Sequence, residues 1–175
     1  MTILTITTSP DPILRKKARK IRTISPAIET LIEDMIETLR AAPGVGLAAP
    51  QVGVSQRLIV AEISEPSEDP EAPLKPPKLY VILNPEIVRH SADANLNNEG
   101  CLSIPGYMGE VERYDTATIK GMDRNGRDFR LKAKGWLARI LQHEIDHLEG
   151  VLFIDKATEV WKLEEENMSD DVAIA

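Results

Sequence analysis

Trp136-Leu137-Ala138-Arg139-Ile140-Leu141-Gln142-His143-Glu144-Ile145-Asp146-His147-Leu148-Glu149 is the stretch from which the rest of the chain can be read. Its apolar residues recur at helical spacing and Gly150 follows as a stop signal, which predicts a helix over 136–149. Trp136, Ile140, His143 and His147 share one face of that helix, with Glu144 beside it and Leu137, Leu141 and Leu148 covering other directions. A helix with so many apolar positions has to be packed against other elements. Residues i and i+4 lie one above the other, so both imidazoles can reach one metal ion, and Glu144 can touch a water on that metal. A single histidine on an apolar face is usually a satisfied core residue. Two at this spacing, with a glutamate between them, point to a metal-dependent hydrolase. Asp146 has two readings, a solvent-facing acid or a partner for a ligand histidine or a buried arginine.

Working outward, Met108–Met122 and Arg127–Ala133 predict a hairpin joined by Asp123-Arg124-Asn125-Gly126, whose Asn-Gly pair suits a tight turn. Tyr80–Arg89 reads as a strand with an irregularity at Asn84-Pro85, and Arg57–Ile63 as another. Pro26–Ala42 predicts a first helix: Ser25 is the N-cap, Pro26 the first helical position, and Ile28, Leu31, Ile32, Met35, Ile36 and Leu39 form an apolar face. Pro43-Gly44 ends it, and residues 44–53 are expected to be a loop. The segment 64–78 holds five prolines and several acids and is expected to be an exposed insertion. The order of elements argues for an α+β fold, mostly antiparallel strands packed around the C-terminal helix that carries the His-Glu-x-x-His motif. Residues 1–156 are expected to form a single catalytic domain, and 157–175 an acidic tail whose start, near Val160–Leu163, reads as helical.

At 175 residues the chain is one domain by size. Its 42% hydrophobic and 28% charged residues are ordinary for a globular protein. No apolar run approaches the ~20 residues that cross a bilayer, and residues 1–13 lack the features of a secretory signal, so a cytoplasmic location is expected. The only cysteine is Cys101, which excludes an internal disulfide. The net charge of −7 is concentrated in the tail, where Glu159, Glu164, Glu165, Glu166, Asp170 and Asp171 face Lys162 alone. Arg15, Lys16, Lys17, Arg19, Lys20 and Arg22 form a basic cluster that reads as a solvated face. Without interleaved aromatics, and on an acidic chain, it does not suggest DNA binding.

Two histidines leave a catalytic metal one protein ligand short. Cys101, in Glu99-Gly100-Cys101-Leu102-Ser103, is the natural third, although a lone cysteine is more often an apolar filler. A thiolate favours iron, zinc, cobalt or nickel over magnesium or calcium. In Gly44-Val45-Gly46-Leu47-Ala48-Ala49-Pro50-Gln51 the small residues allow close backbone approach, and Gln51 offers an amide to a developing oxyanion. The segment lacks the ending of a phosphate loop.

Taken together, Gly44–Gln51, Glu99–Ser103 and Gln142–His147 resemble the three motifs of the peptide deformylase family: G-x-G-L-A-A-x-Q, E-G-C-L-S and Q-H-E-x-D-H. The similarity runs from about Ile3 to Lys156. It implies removal of the formyl group from formyl-methionine at the N-terminus of newly synthesised proteins, with release of formate. It implies Cys101, His143 and His147 as metal ligands, Glu144 as general acid/base, and Gln51 with the backbone N–H of Leu102 as partners of the carbonyl oxygen. It implies Fe2+, with Zn2+, Ni2+ or Co2+ as substitutes, where spacing alone points to zinc. For the methionine side chain, Val45, Trp136 and Ile140 are candidate pocket residues, and Val45, Gly46 and Gly100 candidates for backbone pairing. Many bacterial members carry an arginine near 104–108; this chain has Tyr107 and Met108. The implied partners are N-formylmethionyl nascent polypeptides and, transiently, the ribosome, in a bacterial cytoplasm. The rival readings are a metallopeptidase, whose third ligand usually lies downstream, and a peptide binder that has lost catalysis, against which Glu144 and Gln51 argue.

Overall fold

The structure, a computed structural model, describes residues 2–64 and 76–163. Most of the expected proline-rich insertion and the tail from residue 164 lie outside them. None of the helices among the described residues is long and apolar enough to cross a membrane.

Helix α1 spans Pro26–Ala41, where Ser25 Oγ accepts the Ile28 N–H and Pro26 sits in the first turn. Three strands follow: β1 (Gly46–Ala48), β2 (Leu58–Ile63) and β3 (Lys78–His90). After them come β4 (Ala94–Gly100), β5 (Tyr107–Tyr114), β6 (Thr116–Met122), β7 (Asp128–Lys134), α2 (Gly135–Leu148) and β8 (Glu159–Lys162). They form a five-stranded sheet in the order β1-β2-β3-β6-β7 and a three-stranded sheet in the order β4-β5-β8. All pairings between named strands are antiparallel. The α+β class is therefore as expected, with α2 touching strands of both sheets.

Strand β2 shows why α2 is trapped. Leu58 and Val60 pack with Ile32, Met35, Ile36 and Leu39 of α1, while Ile59, Ala61 and Ile63 pack with Ile140, Leu141, Ile145 and Leu148 of α2. Both faces are covered, so the strand reads as an unbroken apolar run. Each fully buried leucine or isoleucine contributes about 1.5–3 kcal/mol. A third cluster, Leu14, Cys101, Ile104, Val111, Leu152 and Phe153, lies against the smaller sheet. Helix α2 stops where Gly150 takes φ +75°, with Gly150 N–H bonded to His147 O and Val151 N–H to Asp146 O.

Four local expectations are corrected. Residues 44–53 are not all loop: they contain β1 and a 3-10 turn over Ala49–Val52. The single strand expected over 108–122 is two strands in different sheets, broken at Asp115, so the hairpin is β6–β7 alone. Strand β4 was not expected, because Asn95, Asn97 and Asn98 have little strand propensity and pair only because β5 lies alongside. Val160–Leu163 is not a helix start: β8 pairs with β5 there. The irregularity at Asn84-Pro85 is present, as φ +51° at Asn84 and a register shift between Leu83 and Glu86.

Candidate active site

Cys101, His143 and His147 converge from two directions. The histidines lie on successive turns of α2, and Cys101 directly follows β4. All three are buried, and their ligand atoms lie within 4.8 Å of one another. His147 Nε2 stands 3.2 Å from His143 Nε2 and 3.3 Å from Cys101 Sγ. Ligands at about 2.0–2.3 Å from one tetrahedral ion would be about 3.4–3.6 Å apart, so the donor set fits a metal nearly as it stands. The protonation pattern fits as well. His143 Nδ1 meets Glu99 Oε2 at 2.9 Å, which makes Nδ1 the protonated nitrogen and leaves Nε2 a bare donor. Burial, with the Arg113 charge adding to it, holds His147 well below the usual imidazole range, hence neutral. Burial pushes the Cys101 thiol up to about 12, with the Glu144 charge adding to it and the N–H groups of Ser103 and Ile104 opposing. A divalent cation replacing that proton is what would make the sulfur a thiolate at neutral pH.

Glu144 is completely buried, and neither carboxylate oxygen has a hydrogen-bond partner among the described residues. Burial pushes its carboxyl well above the usual range, Glu99 adding and Arg113 opposing. A buried carboxyl with its proton affinity raised in this way is suited to hold and pass on a proton. Gln51, also fully buried, comes from the 3-10 turn after β1. Its Oε1 accepts the Ala48 N–H at 2.7 Å, which turns Nε2 toward Cys101 Sγ at 3.6 Å. Leu102 follows Cys101 in the chain and packs at the edge of the α1 cluster.

The other expected residues lie as follows. Gly46 is on β1 and Gly100 ends β4, and both are edge strands among the described residues, so strand edges from two sheets flank the site. Ile140 is fully buried, with half-buried Val45 and Trp136 in the same apolar cluster. Of the two residues near 104–108, Met108 is buried and Tyr107 exposed. Asp146 is a cation partner: Arg113 Nη1 donates to its Oδ2 at 2.5 Å and Lys156 Nζ to its Oδ1 at 2.8 Å. The basic cluster is partly spent on ion pairs of Arg15 with Asp155, Lys17 with Glu149 and Lys20 with Glu86.

Sequence reasoning missed Glu99, Arg113 and Arg139 as a buried group. Glu99 takes a two-point grip from Arg113 Nε and Nη2, both at 2.9 Å, and a third contact from Arg139 Nη1 at 2.8 Å. Burial alone would raise its carboxyl, but the hydrogen bonds from Arg113 and His143, with the Arg113 charge, hold it well below the usual range. The available signal was an arginine on the apolar helix, at 139.

Comparison with known proteins identifies the family. A family model described as polypeptide deformylase matches residues 3–162. The chain belongs to the polypeptide deformylase family. It is 46% identical over 165 residues to a peptide deformylase of Desulforudis audaxviator, spanning 94% of this chain and 100% of that one. It is 47% identical over 172 residues to a peptide deformylase of Dehalococcoides mccartyi, spanning 98% and 96%. The crystal structure of peptide deformylase from Ehrlichia chaffeensis superposes with a TM-score of 0.81 at 39% identity, covering 90% of this chain and 89% of that one. The chain is thus a metal-dependent hydrolase of the deformylase type, acting on the N-terminal formyl group of nascent proteins.

Proposed function

We propose that Cys101, His143 and His147 hold the metal and that Glu144, Gln51 and Leu102 perform deformylation around it. A divalent metal held there would supply Lewis acidity, polarising the formyl carbonyl and lowering the pKa of a water toward neutrality. Glu144 takes the proton of the attacking water and later returns it to the departing amine. Gln51 Nε2 and the Leu102 N–H donate to the formyl oxygen as negative charge gathers on it, each lowering the barrier by about 3 kcal/mol. The observation that supports this most is the buried carboxylate of Glu144, neither oxygen of which has a hydrogen-bond partner among the described residues, together with three converging ligand atoms.

The substrate lies extended between the edge strands β1 and β4, pairing with the backbone of Val45, Gly46 and Gly100. Backbone pairing reads no side chains, so many sequences downstream of methionine are accepted. Val45, Trp136 and Ile140 form the apolar side of the methionine pocket. The resident metal is Fe2+, a choice that one thiolate and two imidazoles allow along with Zn2+, Ni2+ and Co2+. Residues 1–156 are the catalytic domain, and the acidic segment 157–175 begins by adding β8 to its smaller sheet. Formylated starts place the protein in a bacterial cytoplasm. A nascent-chain substrate brings it transiently to the ribosome, for which Lys16, Arg19 and Arg22 are the cations of the basic cluster without an ion pair among the described residues.

Anaerobic purification, elemental analysis and a formate-release assay on formyl-methionyl peptides test the reading. Stoichiometric iron and rapid release are expected, with no cleavage of end-blocked peptides. Near-wild-type release by Glu144→Ala, or full metal content in Cys101→Ala, would overturn the assigned roles.

A further inference from the structure

The carboxylate that orients His143 is itself held with all four acceptor positions filled. Glu99 Oε1 takes Arg113 Nε and Arg139 Nη1; Oε2 takes Arg113 Nη2 and His143 Nδ1. Arg113 supplies two of these, but it also serves Asp146, so its single positive charge is divided between two carboxylates. Arg139 is placed differently. It lies one helical turn before His143 on α2 and is only 3% exposed. Besides Glu99, its Nη1 donates to Val111 O at 2.9 Å. Its Nη2 donates to both the backbone oxygen and Oδ1 of Asn95, at 2.8 and 2.6 Å. Asn95 is on β4, the strand whose other end leads into Cys101. One guanidinium therefore refers the helix that carries the two histidines to the strand that carries the cysteine.

We propose that Arg139 is a positioning residue for the metal site: it completes the grip on Glu99 that fixes the His143 imidazole, and it anchors β4 through Asn95 so that Cys101 keeps its place against the two histidines. The proposal rests on Cys101, His143 and His147 being the metal ligands. Without Arg139, Glu99 keeps its fork from Arg113 but can swing about it, and the helix-to-strand tie is lost. A long apolar residue in the same space would pack without supplying either contact. A guanidinium is suited to the place because its planar donors can meet Glu99, Val111 O and Asn95 at once, which an ammonium cannot.

The test uses the full-length chain loaded with Co2+ in place of its native metal. Its readouts are the rate of Co2+ release to excess chelator, the visible absorption of the bound Co2+, and the thermal stability of the metal-free protein. Arg139→Met is expected to release Co2+ about 10–100-fold faster than wild type and to shift the absorption bands, since outer contacts of ligand histidines carry effects of that size. Arg139→Lys, which can meet Glu99 but not Asn95 at the same time, is expected to fall between. A stability loss in Arg139→Met with unchanged release rate and spectrum would leave Arg139 only a structural ion-pair partner and overturn the proposal. If Arg139→Met does not fold, Arg139→Lys decides: wild-type release and spectrum overturn the proposal, faster release supports it. His143→Ala separates the two layers, because retention of Co2+ in that variant sinks the ligand assignment itself, whatever Arg139 does.

Discussion

Gly46 leaves no room for a side chain beside Glu144: a β-carbon built on it would stand 2.3 Å from Glu144 Oε1 and 2.8 Å from Cδ. Strand β1 can therefore pass helix α2 at a distance that only a glycine allows, with the buried carboxylate lying against its backbone. Gly46→Ala is expected to push Glu144 aside, lowering kcat about 100-fold. Overpacking should also cost about 1–3 kcal/mol of stability. Metal content should stay the same. Steady-state kinetics, elemental analysis and urea unfolding check this; a wild-type kcat would mean that Gly46 does not confine Glu144.

Glu144→Gln keeps the shape of the side chain and removes its ability to carry a proton. Deformylation is expected to fall by about 10²–10⁴-fold with the metal still bound. Parallel measurement of formate release and bound metal decides the point, and loss of the metal along with activity would place Glu144 among the ligands instead.

Gln51 is aimed by one hydrogen bond from the Ala48 N–H to its Oε1. Gln51→Leu is expected to lower kcat about 10²–10³-fold with KM little changed, as for loss of an oxyanion donor. It should also cost about 1–3 kcal/mol, because the Ala48 N–H is left buried and unpaired. A change confined to KM would assign Gln51 to substrate binding in the ground state.

Arg113 is shared between Glu99, which is fully buried, and Asp146, which is half-buried. Arg113→Met is expected to destabilise the metal-free protein by about 3–5 kcal/mol, the cost of leaving a buried charge short of its partner. Asp146→Asn should cost much less, since Arg113 keeps its fork to Glu99 and Lys156 is left in solvent, so no buried charge loses its only partner. Urea midpoints of the two variants at neutral pH give the comparison, and equal losses would contradict it.

Stability should also fall in acid through Glu86, far along β3. Hydrogen bonds from Lys120 and then Lys20 lower its pKa from 4.5 to about 2. The folded state thus binds this proton less tightly than the unfolded chain, so the stabilising effect is complete above 4.5 and is lost as pH falls toward about 2. Solvent screens the pair, so the effect is modest. Glu86→Gln is expected to flatten the pH dependence of unfolding between about pH 5 and pH 2. An unchanged slope would show that the lysine pairs do not persist in solution.

Local sequence determined a large part of this protein. Helix α1 follows from Ser25, Pro26 and an apolar stripe, β2 from its unbroken apolar run, and the β6–β7 turn from Asn125-Gly126; each signal lies within one element. The placing of His143 and His147 on one face of α2 was readable for the same reason, because i, i+4 spacing is a property of the helix alone. Tertiary structure decided what depends on distant pairing. Met108–Met122 is a continuous alternating run, and its division at Asp115 between two sheets is set by partners far along the chain: Gln142 of α2 takes both the N–H and the C=O of Tyr114. Strand β4 exists because β5 lies beside it, and β8 for the same reason. The group of Glu99, Arg113 and Arg139 is the sharpest case. Apart, each is an ordinary charged residue; only the fold brings them into one desolvated space, where a charge persists because its partners are already in place.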